Sequence, residues 1–264
     1  MSEPVILTDI DARGVATLRL NRPEVNNAYN SDVLAAIRER AEVLGADHAV
    51  RIILLRGNGR HFQAGADLKW IEQNRHKPLE DNLEVSRLTR KAFFGLLTCP
   101  KPVIALVHGA CFGGGTGIAA SCDIVIAEET AMFAITEARW GLVPAMIMVQ
   151  LAARLGAARM RRYSLTCERF DAKRAFEIGF VDEICPEGAL DDVVEPIIDS
   201  LLHNAPATLA QVKAEALRLS GLNFTEEEFE ALAQEHAKLR YTDEAEEGVK
   251  SFLEKRKPSW YPAA

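Results

Sequence analysis

The sequence predicts an α/β fold. Two observations carry the prediction. Over the first two-thirds of the chain, short strand-like runs alternate with segments of helical period, and residues 201–264 read as helical throughout. A third observation bounds the domain count. The 264 residues lie near the upper end of what one hydrophobic core supports, about 250–300. No long linker or low-complexity segment divides them. The expected organisation is a core domain over 1–200 and a C-terminal helical segment over 201–264.

Residues 5–10 and 15–20 are alternating or apolar runs separated by Asp11-Ala12-Arg13-Gly14, the pattern of an opening β-hairpin. A loop follows at 21–24. Ser31 is placed to cap a helix over 32–44, whose Val33, Leu34, Ile37, Ala41 and Leu44 share one face and which Gly45 ends. Residues 51–56 form a buried-type strand broken by Gly57-Asn58-Gly59. Residues 83–97 are helical by period. Pro100 and Pro102 stop that helix and launch a strand over 103–107. A glycine-rich turn, a short helix near 116–121 and a strand over 123–127 complete the alternation. Beyond Pro144 helices dominate, separated near Gly156, Gly179, Pro186 and Pro206, with the last two at 225–240 and 243–255. Phe224, Phe229, Leu232 and Leu239 give this end of the chain apolar faces for the body of the protein or a neighbouring subunit.

Composition narrows the function. With 48% hydrophobic and 26% charged residues the chain is ordinary globular material. A net charge of -7 argues against nucleic acid as the main partner, so an anionic substrate would need a local cluster of cations. No apolar run approaches the roughly 20 residues of a membrane span. Glu3, Asp9 and Asp11 break the order of a secretion signal, so a cytoplasmic location is expected. Cys99, Cys111, Cys122, Cys167 and Cys185 lack metal or C-x-x-C spacing and read as buried free thiols. The histidines are scattered, and no metal site is expected.

Three segments carry chemistry. Phe62-Gln-Ala-Gly-Ala-Asp67-Leu-Lys69 follows a strand and opens a helix, where unpaired N–H groups point outward. Small residues at Ala64, Gly65 and Ala66 let a ligand approach the backbone. The competing interpretation is a tight turn with Asp67 capping a helix. His108-Gly109-Ala-Cys-Phe-Gly113-Gly-Gly115-Thr116 sets three consecutive glycines between a strand and a helix. Each costs roughly 0.5–1 kcal/mol relative to alanine in an ordered element. Such a run implies unusual dihedrals, close ligand approach or close helix–sheet packing. It lacks the P-loop lysine, and Ile118 stands where a dinucleotide loop needs its last glycine. The third segment, Phe133-Ala-Ile-Thr-Glu137-Ala-Arg139-Trp-Gly141-Leu-Val-Pro144, embeds a glutamate in an apolar stretch. Burial would raise the Glu137 pKa toward the range useful for proton transfer. A salt bridge to Arg139 or to a surface lysine is the alternative.

Together these segments resemble the crotonase, or enoyl-CoA hydratase/isomerase, superfamily over nearly the whole chain. The matching pieces include Leu20-Asn-Arg-Pro23 with Asn26-Asn-Ala28, Ala64-Gly-Ala-Asp67, and Gly113-Gly-Gly115 followed by Ala120-Ser-Cys-Asp123. Glu137 with Gly141-Leu-Val-Pro144, Leu165-Thr-Cys-Glu-Arg169, Gly179-Phe-Val181 and Phe252-Leu-Glu-Lys-Arg-Lys-Pro258 follow in order. The resemblance implies a spiral of ββα units with a C-terminal helical segment. It implies a homotrimer or homohexamer that takes an acyl-CoA thioester, with no cofactor beyond the coenzyme A carried by the substrate. The thioester oxygen would lie between the N–H groups of Ala66 and Gly114, an oxyanion hole. Glu137 would be the acid/base. Ala64, Asp67, Leu68, Lys69 and Gly113 would line the CoA path. Lys69, Arg22 and the basic Lys255-Arg256-Lys257 are the candidates for its phosphates.

Hydratases of the superfamily commonly use a second glutamate, and its position falls on Gly117. Three accounts remain. Glu137 handles water and proton in turn, or another group such as Thr116, Glu84 or Arg90 enters the site, or the reaction is a double-bond shift. The segments Gly115-Thr-Gly117, 137–145 and Arg161-Arg-Tyr-Ser-Leu-Thr166 resemble the bacterial glutaconyl-CoA hydratase branch, which covers 3-methylglutaconyl-CoA and isohexenylglutaconyl-CoA. Those substrates carry a distal carboxylate, which an arginine would suit, and small residues near Ala145 would admit a bulky β-substituent. The expectation is therefore a hydro-lyase. The alternatives are a single-glutamate isomerase and a non-catalytic acyl-CoA- or RNA-binding homologue.

Overall fold

A computed structural model describes residues 3–222 and 225–261. Phe224 lies outside the described residues. The chain opens as a hairpin of β1 (Ile6–Ile10) and β2 (Val15–Leu20), with Ile6 opposite Leu20. Asp11 closes the turn by accepting the Arg13 and Val15 N–H groups. A 3-10 turn at Pro23–Val25 leads to α1 (Ser31–Ala46). Its cap is Asn30, whose side chain accepts the Val33 N–H, rather than Ser31. The Ser31 hydroxyl accepts the Trp70 indole N–H instead. Gly45 sits inside the last turn of α1, where a Cβ would lie 3.1 Å from the Pro100 ring.

Next come β3 (Ile52–Gly57), α2 (Leu68–Arg75) and α3 (Leu79–Leu97). Then β4 (Val103–Val107), β5 (Ala110–Phe112) and α4 (Gly114–Ala120) form one ββα unit. A second is built from β6 (Ile124–Glu128), β7 (Met132–Ala134) and, after a 3-10 turn at Glu137–Trp140, α5 (Ala145–Thr166). In each unit the first strand joins a six-stranded sheet, ordered β1-β2-β3-β4-β6 and then β9 (Glu183–Cys185), and the second joins a three-stranded sheet with β8 (Phe170–Asp171). A lone bridge between Gln63 and Cys111 extends the smaller sheet toward the unit begun by β3. The sequence reading had helices dominate beyond Pro144 and named no strand there. β8 and β9 are too short to show a period of two, and only pairing with β7 and β6 makes them strands.

Strands β3, β4 and β6 read as unbroken apolar runs because both faces of the sheet are covered. Ile53, Leu55, Val103, Ala105, Val107 and Val125 face the main core under α1 and α3. Their neighbours Ile52, Leu54, Ile104, Leu106 and Ile126 face a second core. That core is closed by α7 (Leu190–Leu202), which follows α6 (Ala172–Glu177) and contributes Leu190, Val194 and Ile198. All five cysteines are buried.

The segment beyond 200 begins in the last turn of α7 and continues as α8 (Pro206–Leu219), α9 (Glu226–Leu239) and α10 (Asp243–Leu253). Thr225 and Glu228 form a capping box at the start of α9. Phe229 of α9 packs edge-on against Phe94 of α3, with ring centroids 4.2 Å apart. Helix α10 lies back on the 3-10 turn that carries Glu137. There a Cβ on Gly248 would overlap the Trp140 carbonyl, and Phe252 packs against the Trp140 ring at 4.9 Å. Helices α9 and α10 thus wall the cavity of their own chain. No helix among the described residues is long and apolar enough to cross a membrane.

Candidate active site

The two small-residue loops are laced together at the edge of the smaller sheet. The Gln63 N–H donates to the Ala110 carbonyl at 3.1 Å, and the Phe112 N–H donates to the Gln63 carbonyl at 2.9 Å. The buried Gln63 amide donates to the Asn27 and Gly65 carbonyls, at 3.1 and 2.8 Å, and its oxygen accepts the Gly65 N–H at 2.7 Å. On the other side the Tyr29 N–H donates to the Gly65 carbonyl and the Asp67 N–H to the Tyr29 carbonyl, both at 2.9 Å. A Cβ built on Gly65 would lie 3.8 Å from the Gly114 nitrogen, so the loops are in contact.

This lacing leaves out two N–H groups. Among the described residues, neither the Ala66 N–H nor the Gly114 N–H meets a protein acceptor, and both residues line one cavity of about 490 Å³. Gly114 is the first residue of α4, where helix N–H groups have no partner within the helix. Gly113 precedes it at φ 51°, ψ -126°, a region that an L side chain rarely adopts. Its N–H is tied to the Ala134 carbonyl at 2.8 Å, so the turn is held from the strand that leads to Glu137.

The Glu137 carboxyl lies against this turn: a Cβ on Gly113 would be 3.2 Å from Glu137 Oε1. Glu137 forms no ion pair among the described residues. Arg139, considered as its partner, donates to the Cys167 carbonyl at 3.2 Å. Glu137 Oε2 is buried and has no hydrogen-bond partner. Burial raises its pKa to about 7, against the opposing pull of its own N–H and that of Thr136. The Tyr29 ring packs on Gly114, where a Cβ would lie 2.8 Å from the Tyr29 hydroxyl oxygen. Burial and the nearby Glu137 push the Tyr29 phenol far above its ordinary value.

Of the other residues singled out in the sequence, Ala64, Asp67, Leu68, Lys69 and Gly113 line the cavity. Asp67 also caps α2, accepting the Lys69 N–H at 3.1 Å. Its second oxygen takes Arg22 at 3.3 Å, and Arg22 also holds the Ala28 carbonyl. That guanidinium is therefore spent on the loop and lies outside the cavity wall. Lys255 and Lys257 are exposed beyond α10, and Arg256 pairs with Glu247 and Glu254. Lys69 is the one phosphate candidate of the five in the wall. Sequence reasoning missed Tyr29, Arg169, His236 and Arg240, which also line the cavity. They come from distant segments, and no local spacing links them.

None of the three stand-ins for a second carboxylate enters the cavity. The Thr116 hydroxyl donates to the Gly113 carbonyl at 2.6 Å, Glu84 pairs with Arg87, and Arg90 pairs with Glu226 at 2.6 Å. The Gly117 position itself is filled from outside. A Cβ there would overlap Ile147 Cγ2 and lie 2.6 Å from Ile147 Cβ. Among the described residues Glu137 is thus the cavity carboxyl that no cation pairs, since Asp67 is held by Arg22, and the open Ala66 and Gly114 amides line the same space.

Comparisons with known proteins identify the family. A solved enoyl-CoA hydratase from Mycobacterium avium superposes with a TM-score of 0.86 at 33% identity, covering 98% of this chain and 100% of that one. The trans-2-decenoyl-acyl-carrier-protein isomerase of Streptococcus mutans is 31% identical over 97% of each chain. The mevalonyl-coenzyme A hydratase sidH of Aspergillus fumigatus is 31% identical over 94% of this chain and 92% of its own. The pattern described as enoyl-CoA hydratase/isomerase matches residues 11–262. With that match spanning both amide-bearing loops, Glu137 and the helices that wall the cavity, the chain belongs to the enoyl-CoA hydratase/isomerase family.

Proposed function

We propose that the protein adds water across the 2,3 double bond of a branched, glutaconyl-type enoyl-CoA, such as 3-methylglutaconyl-CoA or isohexenylglutaconyl-CoA. The observation that carries this reading is a carboxyl with a raised pKa and no ion-pair partner among the described residues, sharing one cavity with two unpartnered N–H groups. In the proposed reaction the Glu137 carboxylate takes a proton from water, and the water oxygen bonds to C3. The electron pair of the double bond moves toward the thioester, whose oxygen is held as an enolate by the Ala66 and Gly114 N–H groups. Glu137 then returns its proton to C2, so one water is added and the carboxylate is restored. A single group suffices because the two transfers are sequential. One such amide donor elsewhere is worth about 10²–10³ in rate.

A second reading has its own support. With Gly117 closed by Ile147, the cavity holds the one acid/base that a double-bond shift needs. Product mass separates the two. Incubation with 3-methylglutaconyl-CoA is expected to yield a product heavier by one water. A product of unchanged mass with a moved double bond would replace hydration by isomerisation.

The same reading includes assembly as a homotrimer or homohexamer. Helix α8 contributes no buried residue and leaves Val212 and Leu219 exposed, as a subunit-facing surface would. Light scattering is expected to give three or six times the 29.1 kDa chain mass, and a monomer would sink the assembly.

A further inference from the structure

Arg240 closes the C-terminal end of α9 and lines the same cavity. It is 5% exposed, and among the described residues no carboxylate pairs with it. Its one side-chain hydrogen bond is a long one, Nη1 to Asn82 Oδ1 at 3.4 Å. The guanidinium carbon also lies 6.0 Å from the centre of the Trp70 ring. Asn82 is itself fixed, donating to the Asn74 carbonyl at 2.6 Å. A buried guanidinium with one weak neutral partner is an expensive feature unless something else meets it.

The neighbours do not supply the missing charge. His236, one turn earlier on α9, faces the Ser86 hydroxyl at 3.0 Å, and burial holds its pKa well below the ordinary value, so it is neutral. Asp67 is engaged by Arg22 and the α2 amides. Burial lowers the Arg240 pKa to about 10, which leaves it charged at neutral pH. The Tyr29 phenol feels both the Glu137 carboxyl and the Arg240 guanidinium. Tyr29, Glu137 and Arg240 all line the one cavity, so it holds both the buried carboxyl and a cation that no carboxylate pairs among the described residues.

We propose that Arg240 is the subsite for an anionic acyl terminus: a carboxylate at the far end of the acyl chain accepts hydrogen bonds from the buried guanidinium. The assignment rests on the reading that an acyl-CoA occupies this cavity, and it supplies the partner that a glutaconyl chain requires. A planar guanidinium suits a carboxylate because its donors match the two oxygens. A neutral acyl chain of the same length would leave the cation unpaired.

The test compares glutaryl-CoA with pentanoyl-CoA, saturated five-carbon probes that bind without turnover. The wild type is expected to bind glutaryl-CoA about 10- to 100-fold more tightly, the range of a charge-assisted hydrogen bond. Arg240→Met is expected to erase that preference while leaving pentanoyl-CoA affinity within about threefold. Arg240→Lys, which keeps the charge but not the fork, is expected to retain part of it. Melting curves establish that each variant is folded. No preference in the wild type, or equal losses for both probes in Arg240→Met, would overturn the assignment. The second result would place the guanidinium on the CoA moiety. If neither probe binds the wild type, the acyl-CoA reading itself fails. Binding of glutaryl-CoA with no hydration of its unsaturated analogue would leave the subsite standing and remove the hydratase.

Discussion

Glu137→Gln is expected to lower turnover by about 10²–10⁴-fold, the range for losing a positioned acid/base. Glutamine keeps the shape and can still accept a hydrogen bond, so affinity for a saturated acyl-CoA should change little. Wild-type kcat/KM should rise with pH through about 7, because the carboxylate is the form that takes the first proton. The variant should show no such rise. Stability should move the other way. The folded pKa of about 7 exceeds the ordinary 4.5, so the wild type is most favoured below 4.5 and loses stability as pH climbs to 7. At about 1.4 kcal/mol per unit the full loss is roughly 3 kcal/mol. Glutamine cannot ionise, so the variant should be the more stable protein at pH 8, and the gain should vanish near pH 4. Thermal melts at the two pH values check the sign. Unchanged turnover in Glu137→Gln would remove this residue from the chemistry.

Gly117→Glu, which puts a carboxylate where the resemblance places a second glutamate, is expected to destabilise the protein rather than improve it. The new Cβ would collide with Ile147, and the carboxyl would enter a helix whose residues are all buried. Overpacking costs about 1–3 kcal/mol. An unpaired buried polar group adds about 1–3 kcal/mol more. The sum is a large part of a stability of about 5–15 kcal/mol. Ile147→Gly removes both colliding atoms and leaves Phe93 Cε2, 3.5 Å from the Cβ position, as the next neighbour. The double variant should therefore be more stable than the two single losses added together predict, a coupling that a double-mutant cycle measures. Additive losses would show that Ile147 does not occupy the space of the second carboxylate.

These two experiments probe features of different legibility. Glu137 stood out because a carboxyl in an apolar stretch is rare, and the structure buries its Oε2 without a hydrogen-bond partner and sets the carboxyl beside the glycine turn. The unbroken apolar strands and the covered face of α1 were equally readable, since burial on both faces of a sheet or one face of a helix writes itself into residue order. The cap of α1 was misread by one residue because Asn30 and Ser31 are both good caps, and only the distant Trp70 indole claims the serine hydroxyl. Arg22 looked like a free cation next to a loop, yet its partners, Ala28 and Asp67, are set by how that loop folds.

Sequence alone determined the α/β class, the two small-residue loops and the acid/base candidate, because each depends on local order: periodicity, backbone permission and one charge out of place. The tertiary structure decided what shares the cavity. It closed Gly117 with a side chain 30 residues away in sequence, and it folded α10 back onto the turn of Glu137. It also brought Arg240, more than 100 residues downstream, into the same enclosure. Contacts of that kind arise from packing between elements, and chain order carries no record of which distant side chains will meet.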